Sequence, residues 1–122
     1  MFVFYMNVPL NETGINEFDN YDEEMHNVKT FELSQEEYES LRQPKGLFEK
    51  FDEKFGTIID VCEEERIDKV NLAEALQLTN KLLEKHKNET TDRALKKVID
   101  SLECAILTID KGIRHSDICW KN

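Results

Sequence analysis

At 122 residues the chain has room for one domain, expected to run over 1–122, and is short for two of the usual roughly 100–200 residues each. Apolar residues make up 39% and aromatics 9%, which is material for a core and argues against global disorder. Twenty-six acidic side chains against 16 basic ones leave a net charge of −10, which argues against a nucleic-acid backbone or an anionic membrane as main partner and favours a basic one. The charge is unevenly spread: residues 1–65 carry a net −12 and residues 66–122 a net +2. Cys62, Cys104 and Cys119 are odd in number and far apart, the usage of reduced thiols in a cytoplasmic protein rather than of a secreted disulfide framework. The apolar start, Met1 to Leu10, has no basic flank and is too short to cross a bilayer, so neither a signal peptide nor a membrane span is expected there.

In chain order, Phe2 to Val8 is rich in β-branched and aromatic residues and predicts a strand that stops at Pro9, which has no amide to donate to a ladder. Asn11 to Asn27 mixes Gly14, several Asn and six acids with scattered apolar residues, and reads as a long loop or a poorly packed helix. Val28 to Leu33 alternates well enough to predict a second strand pairing with the first. Ser34-Gln-Glu-Glu37 is a capping box, which starts a short helix at Gln35 with Tyr38 and Leu41 facing inward until Pro44 and Gly46 end it. Leu47, Phe48, Phe51 and Phe55 recur at helical spacing, with Glu49, Lys50, Asp52, Glu53 and Lys54 outward and Gly56 as C-cap.

The β-branched run Thr57 to Cys62 predicts a third strand. A long helix follows over 72–87, capped by Asn71, with the stripe Leu72, Ala75, Leu76, Thr79, Leu82 and Leu83. Another, capped by Thr90 or Thr91 and ended by Gly112, carries Leu95, Val98, Ile99, Leu102, Ala105, Ile106 and Ile109. The short link between them predicts an antiparallel αα-hairpin as scaffold. The tail retains Ile113, Ile118 and Trp120 and is expected to pack back. The fold class is therefore α+β and helix-dominated: a hairpin of two long C-terminal helices, two short helices and a small N-terminal antiparallel sheet.

Chemistry-bearing constellations are sparse. His115 and Cys119 sit four apart, with Cys62 or Cys104 as further metal ligands, yet no Cys-x-x-Cys or His-Glu-x-x-His pair supports them, and no metal or other cofactor is expected. Cys62 stands beside three glutamates that disfavour its thiolate, and Cys104 lies inside a helical stripe. His86 falls at a helix end, where it suits the dipole better than it suits base catalysis, and His26 sits among acids. No phosphate-binding glycine pattern or nucleophile elbow occurs. The chain is therefore not expected to be an enzyme.

Phe48-Glu-Lys-Phe-Asp52, followed by Gly56-Thr-Ile-Ile-Asp60-Val-Cys-Glu63-Glu64-Glu65 and the leucine-rich helix from Leu72, resembles the immunity proteins that bacteria pair with polymorphic or contact-dependent toxins. The resemblance implies a small binding protein that neutralises a basic, nuclease-like cognate toxin by covering its active site or an adjacent surface. No catalytic residues carry over from it. The acids expected to form the docking face are Asp60, Glu63, Glu64 and Glu65, together with Glu17, Asp19, Asp22, Glu23 and Glu24. The alternative is a helical adaptor or self-associating module whose stripes could continue across a homodimer interface.

Overall fold

The structure is a computed structural model that describes residues 3–20, 24, 26–59, 65–110 and 118–121. In chain order the elements are β1 (Val3–Pro9), α1 (Glu12–Asp19), β2 (Val28–Ser34), α2 (Gln35–Leu41), α3 (Leu47–Phe55), β3 (Glu65–Ile67), a 3₁₀ turn (Lys69–Asn71), α4 (Leu72–Leu83), α5 (Glu89–Asp110) and β4 (Ile118–Lys121). The fold is α+β and helix-dominated, as expected. Its sheet is larger than the sequence suggests, because four antiparallel strands in the order β2-β1-β4-β3 draw on both ends of the chain.

Register separates the two faces of the sheet. Phe4 lies opposite Leu33 and Met6 opposite Phe31, and these side chains point with Val8 and Ile67 into the main core. The alternate residues Asn7, Thr30 and Arg66 belong to the other face, where the Thr30 hydroxyl donates to Asn7 Oδ1 at 2.8 Å. The Arg66 guanidinium stacks over Phe18 of α1 at 5.3 Å from the ring centroid. Since the neighbouring Ile67 faces the core, this contact puts α1 on the opposite side of the sheet, with Phe18 buried outside the main cluster.

Asn11 to Asn27 thus resolves toward its helical alternative at the N-terminal end. Asn11 Oδ1 caps α1 by accepting from the Gly14 amide at 2.9 Å, and Asn11 Nδ2 donates to Asn27 Oδ1 at 3.0 Å. Gly14 is required by close approach, since a Cβ there would run into the Asn27 carbonyl. Pro9 does not lie beyond β1 but is its last residue, opposite Val28, at a strand end where its missing amide matters least.

α2 begins as the capping box dictates, directly off the last residue of β2. The Ser34 hydroxyl accepts from the Glu37 amide at 3.2 Å, and Glu37 Oε1 accepts from the Ser34 amide at 2.8 Å. Tyr38 and Phe48 bring their rings to 4.8 and 5.9 Å from Phe4, closing an aromatic cluster that joins α2, α3 and β1. Gly56 ends α3 at φ 68°, a left-handed conformation that costs a residue with Cβ about 1 kcal/mol or more.

The expected third strand over Thr57 to Cys62 is not formed in its described part, 57–59. The reason is Asp52 on α3, whose Oδ1 accepts from the Thr57 hydroxyl at 2.8 Å and the Ile59 amide at 3.1 Å. Arg42 donates to the Ile59 carbonyl at 2.6 Å and to Asp52 Oδ2 at 2.9 Å. These side chains take the backbone groups a ladder would need, and Ile58 stays 65% exposed. A three-residue strand falls instead at Glu65–Ile67, for which no strand is expected from the sequence. Residues 60–62 of the expected strand lie outside the described ones.

Three helix-end expectations are also corrected. Asn71 makes no side-chain cap on α4, because Asp68 Oδ1 accepts from the Val70 amide at 3.2 Å and starts the preceding 3₁₀ turn instead. α4 ends at Leu83 rather than near 87, and His86 lies in the connection at φ 44°. Asn88, one residue ahead of Glu89, caps α5 by accepting from the Thr91 amide at 2.8 Å, so neither Thr90 nor Thr91 is the cap. The stripe on α5 packs as expected: Leu95, Val98, Ile99, Leu102 and Ala105 are buried, with Ile106 and Ile109 packed at the margin. Gly112 lies outside the described residues.

α4 and α5 form the αα-hairpin, and α5 also contacts α2, β1, β2 and β4. The hydroxyls buried in this layer are satisfied locally, Thr79 donating to the Ala75 carbonyl at 2.7 Å and Ser101 to the Val98 carbonyl at 2.7 Å. Replacing Leu102 by Ala should therefore cost about 2–5 kcal/mol in urea denaturation, as for a core leucine. Leu107→Ala, at a position on the same helix that is 60% exposed, should cost less than about 0.5 kcal/mol. Equal losses at the two positions would mean that α5 is turned differently.

Candidate functional site

Two kinds of acid are distinguished by their surroundings: those consumed by the fold and those presented to solvent. Glu37 is the clearest of the first kind. Its side chain is only 2% exposed, and besides the Ser34 amide it accepts from Lys97 Nζ at 2.8 Å and Arg93 Nε at 3.0 Å on α5. Burial by itself raises the carboxyl, but donation from Lys97, the Ser34 amide and Arg93 outweighs that penalty and lowers its pKa from 4.5 to about 2. The sequence marks Glu37 as a cap. Its second role, locking α2 onto α5, depends on residues 56 and 60 positions away that no local pattern connects.

The expected docking acids divide in the same way. Glu17 accepts from the Asn27 amide at 2.9 Å and the His26 amide at 3.3 Å, so it ties α1 to the start of β2 as well as carrying charge. Asp19 pairs with Arg66 at 3.0 Å, both side chains being about half exposed. Glu24 reaches His26 at 3.3 Å on the surface. The backbone of Glu65 pairs with that of Trp120 in the sheet. Asp22, Glu23, Asp60, Glu63 and Glu64 lie outside the described residues.

Acids outside the expected set are also presented to solvent. Glu12, Glu32 and Glu36 are exposed on α1, β2 and α2, and none pairs with a Lys or Arg among the described residues. Glu32 lies opposite Tyr5 on the face of the sheet that also carries α1, so strand alternation puts it on the same side as Glu12, Glu17 and Asp19. The available signal was that alternation in Val28 to Leu33, which assigned Glu32 to the face opposite Leu33.

Of the thiol and histidine groups weighed as ligands, Cys104 lies half-buried in α5, and Cys119 contributes backbone pairs to Asn7 and Arg66 within β4. Cys62 and His115 lie outside the described residues. His86 lies off the end of α4, 3.1 Å from Asp92 Oδ2 near the start of α5. Among the described residues no group of three or more His, Cys, Asp or Glu is placed to hold a metal ion, and no helix is long and apolar enough to cross a membrane. Comparison with models of protein families, with curated proteins and with solved structures finds no match to this chain.

Glu37 yields a pH prediction whose sign follows from its lowered pKa. A carboxyl with a depressed folded-state pKa stabilises the fold above its unfolded value and loses that contribution as pH falls through the folded one. Glu37 should therefore contribute on the order of 3 kcal/mol above about pH 4.5, disappearing toward pH 2. In urea denaturation, Glu37→Gln should be markedly less stable than the parent at neutral pH, and the gap should close over that window. A gap that stays constant with pH would assign the loss to packing rather than to charge.

Proposed function

We propose that the chain acts by binding and not by catalysis, as an immunity-type protein that neutralises a basic, nuclease-like toxin by covering its active site or an adjacent surface. The observation that carries this reading is the one-sided arrangement of carboxylates on α1 and the outer face of the sheet. Glu12, Glu17, Asp19 and Glu32 share that side, within a half of the chain whose net charge is −12. The internal ion pairs involve few of these acids, since Glu37 and Asp52 take Arg93, Lys97 and Arg42 while Glu12 and Glu32 pair with no Lys or Arg among the described residues. A surface of this kind can occupy a cationic substrate groove and speed encounter with it through its summed field. Asp22, Glu23, Glu24, Asp60, Glu63, Glu64 and Glu65 belong to the same reading through their place in the acidic half.

Affinity purification from the native cell at low salt should recover a basic protein in stoichiometric amount, and co-expression should relieve that protein's toxicity. Glu12→Gln/Glu32→Gln and Glu63→Gln/Glu64→Gln/Glu65→Gln should each slow association and flatten its dependence on ionic strength, because the Debye length is about 8 Å at physiological salt. Their unfolding midpoints should move little, since exposed carboxylates contribute little singly. Stopped-flow rates unchanged in both variants across the salt range would contradict the acidic face as the docking surface.

A further inference from the structure

Leu78 is a leucine of α4 outside the stripe that faces α5. At about 100° per residue, Leu78 and Lys81 fall on the side of the helix away from Leu72, Leu76 and Leu83, with Leu82 at the border, and Lys85 follows in the turn after the helix. On the neighbouring α3, Lys50 and Lys54 are four apart and share one face, and Lys54 Nζ reaches Glu74 of α4 at 3.1 Å. Two adjoining hollows run between these helices. One, of about 240 Å³, is bounded by Lys50, Glu53, Lys54 and Leu78, and the other, of about 500 Å³, by Lys50, Leu78, Lys81, Leu82, Glu84 and Lys85. Because they share Lys50 and Leu78, they form one groove in which Leu78 and Leu82 are bordered by Lys50, Glu53 and Lys54 on the α3 side and by Lys81, Glu84 and Lys85 on the other, so that lysines outnumber acids.

We propose that this α3–α4 groove is a second docking site, of opposite sign to the acidic face, and that it takes an acidic amphipathic helical segment of a partner protein. Charge complementarity selects the occupant. On a chain of net charge −10, four lysines line the groove against two acids, Glu53 and Glu84; Lys54 pairs with Glu74, while Lys50, Lys81 and Lys85 gather around two half-buried leucines and form no ion pair with a described residue. Lysine stems can extend along apolar surface while their ammonium groups meet carboxylates at its edge, which suits a helix bearing apolar residues flanked by Glu or Asp. The reach from Leu78 to the end of α4 at Leu83 is about 8 Å, enough for roughly one and a half turns of a bound helix. Repulsion by the distant acidic face is screened over the Debye length of about 8 Å at physiological salt.

A second copy of this chain is a poorer occupant. The acidic helices α1 and α2 keep Phe18, Tyr38 and Leu41 buried in their own fold, so neither can offer apolar side chains to another molecule's groove. The site is also independent of the immunity reading, which concerns the other half of the charge distribution.

The test uses the full chain and a fluorescein-labelled peptide of about 16 residues made of Glu, Ala and Leu, with Leu at i, i+3 and i+7. A second peptide of the same composition has its leucines scattered around the helix. Fluorescence anisotropy at near-physiological salt should show saturable binding of the patterned peptide and at least about tenfold weaker binding of the scattered one. Lys81→Glu/Lys85→Glu, on α4 and in the turn after it, and separately Lys50→Glu on α3, should each weaken the patterned peptide by a similar factor with unchanged circular dichroism. Leu78→Ser should weaken it while leaving the charge intact. Equal binding of the two peptides, unaltered binding by all three variants, or no saturation by about 1 mM would overturn the proposal. So would sedimentation showing a dimer that Lys81→Glu/Lys85→Glu dissociates, since a second copy would then fill the groove.

Discussion

The width of the apolar surface on α5 is the constraint on which the rest of the structure depends. Ala94, Leu95, Val98, Ile99, Ser101, Leu102 and Ala105 are all buried, and at about 100° per residue they span an arc of about 160°. An arc of about 100° suffices for a helix packed against one layer. This one exceeds what a single neighbour can cover, so α5 is flanked by α4 and α2 while resting on the strands. Met6 of the central β1 sits under the helix, its sulfur 3.7 Å from the Ser101 hydroxyl. Removing apolar surface from this arc weakens several contacts together, because the same side chains serve both the hairpin and the sheet.

Charge fixes what hydrophobic burial leaves free. A helix resting on a sheet can slide and rotate at little loss of apolar area, whereas a carboxylate at 2% exposure needs its donors in place. Glu37 therefore sets the relation of α2 to α5 through Arg93 and Lys97, whose own side chains remain 50% and 40% exposed and need little desolvation. Asp52 acts similarly for the segment after α3, where three donors converge on one carboxylate. With these two acids engaged in the fold, much of the remaining negative charge of the N-terminal half lies on α1, β2 and α2, and the lysines of α3 and α4 line a groove elsewhere. The two proposed docking surfaces are thus a consequence of how charge is divided between holding the fold and facing water.

Elements whose cause is local were legible in the amino-acid sequence. The Ser34–Glu37 box, the Phe48–Phe51 repeat, Gly56 as a left-handed cap and the stripes on α4 and α5 each depend on residues within about one or two turns, so their spacing shows through any tertiary setting. The strand pair β1–β2 was legible for a similar reason, since alternation assigned Phe31 and Leu33 to one face. Of the proposed acidic face, Glu17, Asp19 and Glu24 could be nominated from composition, but composition does not tell a carboxylate that bonds its own backbone from one that is open to a partner.

Only the tertiary structure decided where the remaining strands fall. β4 comes from the last few residues and enters between β1 and β3, a placement set by pairing Asn7 with Cys119 and Arg66 with Cys119 across long stretches of chain. Thr57 to Ile59 has the composition of a strand and is not one, because Asp52 and Arg42 hold its backbone and hydroxyl groups from neighbouring helices. The groove beside Leu78 likewise required α3 to lie against α4. The sequence by itself determined the presence of α2, α3, α4 and α5, the Ser34 and Gly56 caps, the inward faces of these helices and the overall sign of the charge, since these follow from short-range periodicity and composition. Strand order, the pairing of Glu37 with α5 and the separation of an acidic face from a basic groove depend on contacts between distant residues, which become definite only when burial has fixed the packing of the helices on the sheet.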